Sequence, residues 1–588
     1  MFQQDLQAVG DSLALSALCG AIPLLTLFVL LGGLRLQAWR AGVLSLVVAI
    51  LVAVVLFGMP VGQALLAGTE GAAFGFFPIL WIVINAIWVY NLTVESGHFD
   101  VLRRSFEKVS ADQRIQAIII AFCFGALLEA LAGFGTPVAI TVVMMMALGF
   151  EPLKAAAVAL IANTAPVAFG ALATPIVTLA TVTSGASDDP RLDVDTLGAM
   201  VGRQTPILAV VVPLVLVLVV DGARGLRRTW LPALVAGLAF GLAQFVAANY
   251  ISVALADIVA SLVSAAAVVL LLQVWSPREE LRASAPGEPA PASGPAPGSA
   301  TGPATGPATG PASGRGSRPA SGSAPASVRV AVGTRPQVDS RGDVVRAYAP
   351  YAVIIAIFSI TNITAVKEAL AKEPWTYLFS WPGLEVLNPA GEAVATTNFT
   401  LNWLPAAGTL MIVAGAITAL ILRVSPATAL RTYGRTYVEL RSAIVTVMAV
   451  LALAYVMNLS GQTSSLAAWL AGAGGAFALI SPVLGWIGVA VTGSDTSSNA
   501  LFGGLQVQTA SQAGLDPLLM AAANSSGGVL GKMVSPQNLA IAAAAVGMAG
   551  REGDLLRKVL LWSVVLLVVM CAIVGLQATP VLDWMVPG

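Results

Sequence analysis

The sequence predicts an all-α polytopic membrane protein of about 12–14 transmembrane segments, with inverted-topology repeats and discontinuous or re-entrant helices. Three observations predict it. The 588-residue chain is 57% hydrophobic and only 10% charged, whereas soluble domains carry about 25% charged residues. Apolar runs recur at lengths that cross about 30 Å of hydrocarbon as a helix. Two interrupted apolar regions, far apart in the chain, also repeat one polar pattern at matched spacing.

The N-terminal transmembrane helices occupy 1–126, with spans at 13–34, 41–59 and 73–95 and the start of another at 115–132. Met1-Phe2-Gln3-Gln4-Asp5 lacks a basic n-region, so 13–34 reads as a first span rather than a cleaved signal. Residues 127–183 form the first broken-helix region. Residues 184–276 return to plain helices at 204–220, 230–248 and 252–275. Residues 277–346 read as a disordered cytoplasmic linker; the Ala/Pro/Gly/Ser run at 284–326 has too little apolar surface to offset ordering entropy. Spans at 348–366, 403–422 and 442–458 fill 347–485. The second broken-helix region is 486–548, and 549–588 holds a last helix at 558–577.

The two broken regions repeat each other. Asn163-Thr164-Ala165-Pro166 leads through Gly170 to Thr174-Pro175, and Asn524-Ser525-Ser526-Gly527 leads through Gly531 to Ser535-Pro536. In both, Gly lies seven positions after Asn and the Thr/Ser-Pro pair begins eleven after it. A Gly- and Thr-rich break precedes each, at Gly133-Phe134-Gly135-Thr136-Pro137 and Gly493-Ser494-Asp495-Thr496-Ser497. Such backbone is tolerated at membrane depth only where protein or a water-filled cavity satisfies its polar groups.

Charge gives the orientation. Basic clusters at Arg35/Arg40, Arg103–Arg114, Arg224–Arg228, 278–346, Arg423–Arg441 and Arg551–Lys558 belong in the cytoplasm. The 185–197 and 367–402 loops and both termini then lie outside. The first repeat runs from inside to outside and the second from outside to inside. Paired, oppositely oriented interruptions point to the binding site of a secondary transporter.

Other classes find little support. Lys+Arg and Asp+Glu both number 30, and no basic face for nucleic acid appears. Cys19, Cys123 and Cys571 lie in apolar runs and read as small hydrophobes. No metal-ligand spacing or cofactor motif appears. Gly531-Lys532-Met533 resembles a P-loop tail but lacks the hydroxyl after Lys and the Gly five positions earlier. A single histidine, His98, cannot support the usual relays, so an enzyme is not expected.

Four stretches are similar to the lactate permease family: 129–140, 163–170, 493–503 and 531–538. The resemblance covers nearly the whole chain outside the linker. It implies proton-coupled uptake of L-lactate, often also D-lactate and glycolate, across a bacterial inner membrane. The implied partners are a small 2-hydroxymonocarboxylate, protons and the lipid bilayer.

Importing such an anion against a negative interior costs about 2.3 kcal/mol per 100 mV, and a co-moving proton cancels that term. The site therefore needs a carboxylate cradle and a proton carrier. Backbone N–H groups at Gly133, Gly135, Gly493, Asn163 and Asn524 suit the cradle where half-helices begin. Hydroxyls of Thr136, Thr164, Thr496, Ser497, Ser498 and Ser525, with Asn499, complete the candidate set; close helix packing is the competing use of these small residues. Glu129, Asp495 and Lys532 lie in apolar surroundings, where ionisable groups are functional candidates. Glu129 is the favoured proton carrier and Asp495 the next. Lys532 either meets the substrate carboxylate or forms a structural ion pair with Glu129 or Asp495. Arg203 either attracts anions or anchors its helix. Trp81, Trp88, Trp375, Trp381 and Trp403 read as interface belt or packing.

Two rivals remain. A sodium-coupled organic anion transporter or ion antiporter would also use broken repeats rich in Asn, Ser and Thr. A sensor signalling through 277–346 is disfavoured because that loop lacks a foldable output domain.

Overall fold

Helix formation follows the apolar runs. The computed structural model describes residues 1–133, 135–184, 186–187, 189–277, 281, 339–394 and 397–588, so the 284–326 expectation lies outside the described residues. Ten described helices are long and apolar enough to cross a membrane, or up to eleven when one bent pair counts as a span. The chain is a multi-pass membrane protein.

Several boundaries differ from the sequence reading for local reasons. The 73–95 span is the second half of Val61–Glu95, bent at 75–80, where Pro78 removes a backbone donor. The spans at 204–220 and 230–248 are two legs of Val194–Ile251, broken at Asp221 and Gly222. They pack antiparallel so closely that a Cβ on Gly237 would lie 2.4 Å from the Val210 carbonyl oxygen. The 403–422 span starts only at Ala407, and 442–458 is the end of the longer Pro426–Leu459. Residues 341–346, assigned to the linker by composition, begin helix Arg341–Thr361, which Ser340 caps.

Two faces are recognisable from their polar contacts. Phe2–Gln3 pairs in parallel with Val386–Leu387, and Tyr377–Ser380 pairs antiparallel with Asn398–Leu401. Arg191 and Arg203 donate to the Pro587 and Met585 carbonyls at 3.0 and 2.8 Å. A cavity of about 250 Å³ is lined by Gln4, Ala186, Asn388 and Gln508, among others. Both termini and the 185–197 and 367–402 loops thus gather on one face. Those are the segments that the charge pattern places outside. Elsewhere Arg104 pairs with Asp339 at 2.6 Å, and Arg114 pairs with Asp112 and Asp221.

Each repeat resolves into a hairpin followed by a broken helix. The first hairpin is Gln113–Ala132 and Thr136–Ala147, and its broken helix is Pro152–Ala162 with Gly170–Thr183. The second hairpin is Phe477–Thr492 and Asp495–Ala513, and its broken helix is Pro517–Gly531 with Pro536–Ala545. Both units start before the expected 127 and 486. Between Ala117 and Phe124 the first arm is apolar throughout, so the pattern does not separate it from an ordinary span.

Local chemistry sets the turns. Gly493 ends one arm at φ +77°, a left-handed position that disfavours any side chain. Ser494 then caps the next arm by accepting from the Ser497 N–H. Gly135, at φ +84°, plays the same part before Thr136-Pro137. Asp516-Pro517 and Ser535-Pro536 each supply an N-cap followed by proline at the first helical position.

The breaks themselves differ. After Pro152–Ala162 the chain makes a 3-10 turn at Val167–Phe169, and the broken helix bends by 62°. Ala171, Leu172 and Ala173 then take φ of 45°, 55° and 58°, a conformation costing about 1–2 kcal/mol per L-residue. Packing must hold that turn, and all three are buried. The second break is only the short turn Lys532–Val534 and Ser535.

Candidate functional site

The two hairpin tips and the two breaks converge. Gly493, at one tip, accepts a hydrogen bond from Asn538 Nδ2 at 3.4 Å. Gly135, at the other tip, faces Asn538 and Ile541 of the same half-helix. Thr136–Ala147 and Asp495–Ala513 both begin at these tips, so their positive ends enter the centre. Two other expected helix starts are not starts. Asn163 closes Pro152–Ala162 as its C-cap, and Asn524 lies inside Pro517–Gly531. The repeat spacing aligned the asparagines, but the second break comes about two turns later.

Charge meets across the repeats. Lys532, in the second break, forms a hydrogen-bonded ion pair with Glu129 of the first hairpin. Both side chains are buried, at 8% and 3% exposure. The other Glu129 oxygen accepts from Asn163 Nδ2 at 3.0 Å. Gly170 leaves room for this carboxylate, because a Cβ there would lie 3.1 Å from Oε1. Removing one partner of a buried ion pair costs about 3–5 kcal/mol.

Asp495 is the second acid. Its Oδ2 accepts from Ser525 Oγ at 2.6 Å, while buried Oδ1 meets no donor among the described residues. Gly528 lies against Oδ1, where a Cβ would come to 2.3 Å. The structure therefore places Lys532 on Glu129, not on Asp495.

The remaining candidates divide between structure and centre. Thr164 Oγ1 donates to the Ile161 carbonyl at 2.7 Å, and Ser498 Oγ to the Gly485 carbonyl at 3.1 Å. Asn499 donates to the Pro175 carbonyl and accepts from Asn524, whose own oxygen accepts from Gln506. These groups satisfy one another. The hydroxyls of Thr136, Thr496 and Ser497 make no hydrogen bond among the described residues, although Thr496 and Ser497 are buried. They are the hydroxyls with bonding capacity to spare. Arg203 is used in anchoring, through Asn249 and Met585. Trp81 and Trp88 pack inward, donating to Thr409 and the Ala429 carbonyl.

The small-residue reading holds for the glycines of the second repeat. Phe477–Thr492 packs on Pro517–Gly531, and a Cβ on Gly485, Gly527 or Gly531 would lie 1.9, 2.1 or 2.3 Å from a carbonyl oxygen of the facing helix.

Sequence reasoning passed over several buried polar groups here. Asn538 touches the second tip and the second break. Ser526 donates to Gln204 at 2.6 Å, and Gln204 to Gln577 at 2.8 Å. Gln244 donates to Asp257 at 2.8 Å and lies 3.4 Å from the Ala165 carbonyl in the first break. Asp257 had a visible signal as an acid inside the 252–275 apolar run. Glu70, wholly buried with neither oxygen partnered among the described residues, stood just ahead of an expected span.

Residues 16–581 match the family model for L-lactate permease. The chain is similar to the glycolate permease GlcA of Escherichia coli (strain K12), at 41% identity over 576 residues and 96% of each chain. It is also similar to the L-lactate permease of Bacillus subtilis (strain 168), at 37% identity and 98% of each chain. The L-lactate permease of Escherichia coli (strain K12) is 38% identical over the full length of both. Among solved structures, the YdaH transporter of Alcanivorax borkumensis aligns over 87% of this chain and 86% of its own, with TM-score 0.42 and 13% identity. That likeness is too distant to assign anything.

Proposed function

The chain belongs to the L-lactate permease family, and from that premise we propose that it imports L-lactate, with D-lactate and glycolate as further substrates, by proton symport. The observation that carries this reading is the buried Glu129–Lys532 pair, joining the first hairpin to the second break. A substrate carboxylate can take the place of Glu129 on Lys532, since both are carboxylates. The free hydroxyls of Thr136, Thr496 and Ser497 and the helix ends at Gly135 and Gly493 supply neighbouring donors for the substrate hydroxyl and carboxylate. Gly133, Asn163, Thr164, Ser498, Asn499, Asn524 and Ser525 shape and orient that centre.

The proton step follows from charge. When Lys532 turns to the substrate, Glu129 loses its counter-charge in a low-dielectric setting, and taking up a proton relieves it. Asp495, with one oxygen unpartnered, is the second acceptor in this reading. The test is uptake into proteoliposomes with the pH and Na⁺ gradients imposed separately. Accumulation of labelled lactate driven by an inward proton gradient, competed by glycolate, is the expected result. Uptake that follows Na⁺ and ignores pH would overturn the proton assignment.

A further inference from the structure

The cavity on the face that the charge pattern places outside is separate from the central site. It measures about 250 Å³ and lies among the N-terminal residues, the 185–197 and 367–402 loops and the last turns of helix Asp495–Ala513. Pockets for drug-sized ligands run to about 300–1,000 Å³, so this one suits a smaller molecule. Its wall is rich in carboxamides: Gln4, Asn388, Asn458, Gln508 and Gln512 line it, with Ser464. Among the described residues that line it, none is ionisable.

Two of these amides are committed to the protein. Gln4 Nε2 donates to the Asn458 and Leu459 carbonyls at 2.8 and 3.2 Å. Asn388 donates to the Glu392 carboxylate at 3.1 Å and accepts from the Glu392 N–H at 2.9 Å. The other three are not committed. The side chains of Asn458, Gln508 and Gln512 make no hydrogen bond among the described residues. Gln508 Oε1 is sealed from solvent and still meets no donor there. A buried acceptor without a donor is destabilising, and a bound hydroxyl relieves it. The free amides are also aligned. Gly504, Gln508 and Gln512 are spaced four apart on one helix, so they share a face. Gly504 leaves room for Asn458, since a Cβ there would lie 3.1 Å from Asn458 Nδ2.

We propose that this cavity is a second binding site for a small 2-hydroxycarboxylate, a staging site that holds the anion at the outer face before it reaches the centre. Each carboxamide offers two N–H donors and one carbonyl acceptor. The donors of Asn458, Gln508 and Gln512 take the carboxylate, and Gln508 Oε1 takes the hydroxyl. Neutral donors hold a carboxylate less tightly than a cation does, so the anion is released readily toward Lys532. Gln508 lies 13 positions beyond Asp495 on the same helix, about 20 Å along its axis. The two sites can therefore be filled together. The choice of ligand rests on the substrate reading above.

The experiment uses right-side-out membrane vesicles and Ser187→Cys, a partly exposed lining position that supplies none of the free amides. A membrane-impermeant thiol reagent is added outside, and the parent, with Cys19, Cys123 and Cys571, sets the baseline. L-Lactate is expected to slow labelling of Ser187→Cys several-fold, and to do so equally in the Lys532→Met background, where the central site is disabled. Should Lys532→Met fail to fold, Glu129→Gln with Lys532→Met replaces it. Adding Gln508→Leu is expected to raise the lactate concentration for half-protection by about 2- to 10-fold. Labelling that lactate does not slow overturns the proposal, and so does a Ser187→Cys protein that does not label from outside. Protection that vanishes with Lys532 also overturns it, because the signal then comes from the centre. Lactate uptake by the parent is measured alongside. Protection without any uptake overturns the transport reading and leaves the outer site standing; uptake without protection does the reverse.

Discussion

The first repeat contributes the acid of the buried ion pair and the second its base. Glu129 sits one turn before the first hairpin tip, and Lys532 sits in the second break. The backbones differ in the same sense. The first break is long, strained through three left-handed residues, and bent by 62°; the second is a four-residue turn between nearly complete half-helices. The second repeat is instead fixed by glycines pressed against facing carbonyls. Two copies that look alike as sequence have divided the work: one is tightly packed, the other holds the less regular backbone beside the charge.

The largest effect that tests this division is at the ion pair. Lys532→Met is expected to abolish lactate accumulation and to lower stability by about 3–5 kcal/mol, because Glu129 is left buried and alone. Glu129→Gln with Lys532→Met removes both charges and should recover most of the stability, read by thermal unfolding in detergent, while uptake stays lost. Uptake restored in the double variant would mean that the pair only holds the repeats together.

Next in size is the packing of the second repeat. Gly527→Val places a side chain where a Cβ already meets the Pro482 carbonyl oxygen at 2.1 Å. The facing atom is backbone and cannot turn aside, so a loss of about 3 kcal/mol is expected. Gly170→Ala in the first repeat meets the Glu129 side chain first, at 3.1 Å. It should cost less than about 1 kcal/mol in stability yet weaken lactate affinity, measured as KM for uptake. Equal stability losses at the two glycines would erase the contrast between the repeats.

Sequence alone carried the paired interrupted regions and the tips at Gly135 and Gly493, and it singled out Glu129, Asp495 and Lys532, which the structure buries. Tips are legible because left-handed glycine followed by a hydroxyl cap or proline is local chemistry. Which acid meets Lys532 is not local. Glu129 is 403 positions away while Asp495 is 37, and only the packing of hairpin on broken helix decides it. Asp257 and Glu70 were missed for another reason. Each stands near the end of an otherwise ordinary apolar run, outside the repeated motifs, and what sets it apart from a surface acid is burial with at least one oxygen that meets no donor among the described residues. The long first arms of the hairpins were hidden too, since Ala117–Phe124 is apolar on every face.

A finer contrast lies in the matched asparagines. Asn524 donates to Asn499 and accepts from Gln506, so Asn524→Leu strands two buried partners and should cost about 1–3 kcal/mol of stability. Asn163 donates its side-chain amide to Glu129, and its own oxygen meets no donor among the described residues. Asn163→Leu is therefore expected to change the pH dependence of uptake more than the unfolding temperature. If Asn163→Leu shifts only stability and Asn524→Leu only transport, the roles assigned to the two repeats are reversed.

The smallest effect belongs to the outer contact between the repeats. Arg191, in the loop leaving the first repeat, reaches Asp189 at 2.7 Å and Asp516, the cap of the second broken helix, at 3.0 Å. Its guanidinium hydrogen bond holds the Asp189 carboxyl below the usual carboxylate range. A folded-state proton affinity lowered in this way stabilises the protein above the unfolded carboxylate value of about 3.9. The contribution is lost as pH falls through the lower folded value. These groups are partly exposed, so Arg191→Ala should cost no more than about 1 kcal/mol at neutral pH. The gap between parent and variant should then close as the pH drops below about 4. Lactate uptake should be nearly unchanged, because the contact lies at the ends of the repeats and not between their tips. A gap that widens in acid, or uptake that falls as far as in Lys532→Met, would show that the repeats are coupled through their outer ends as strongly as through the buried pair.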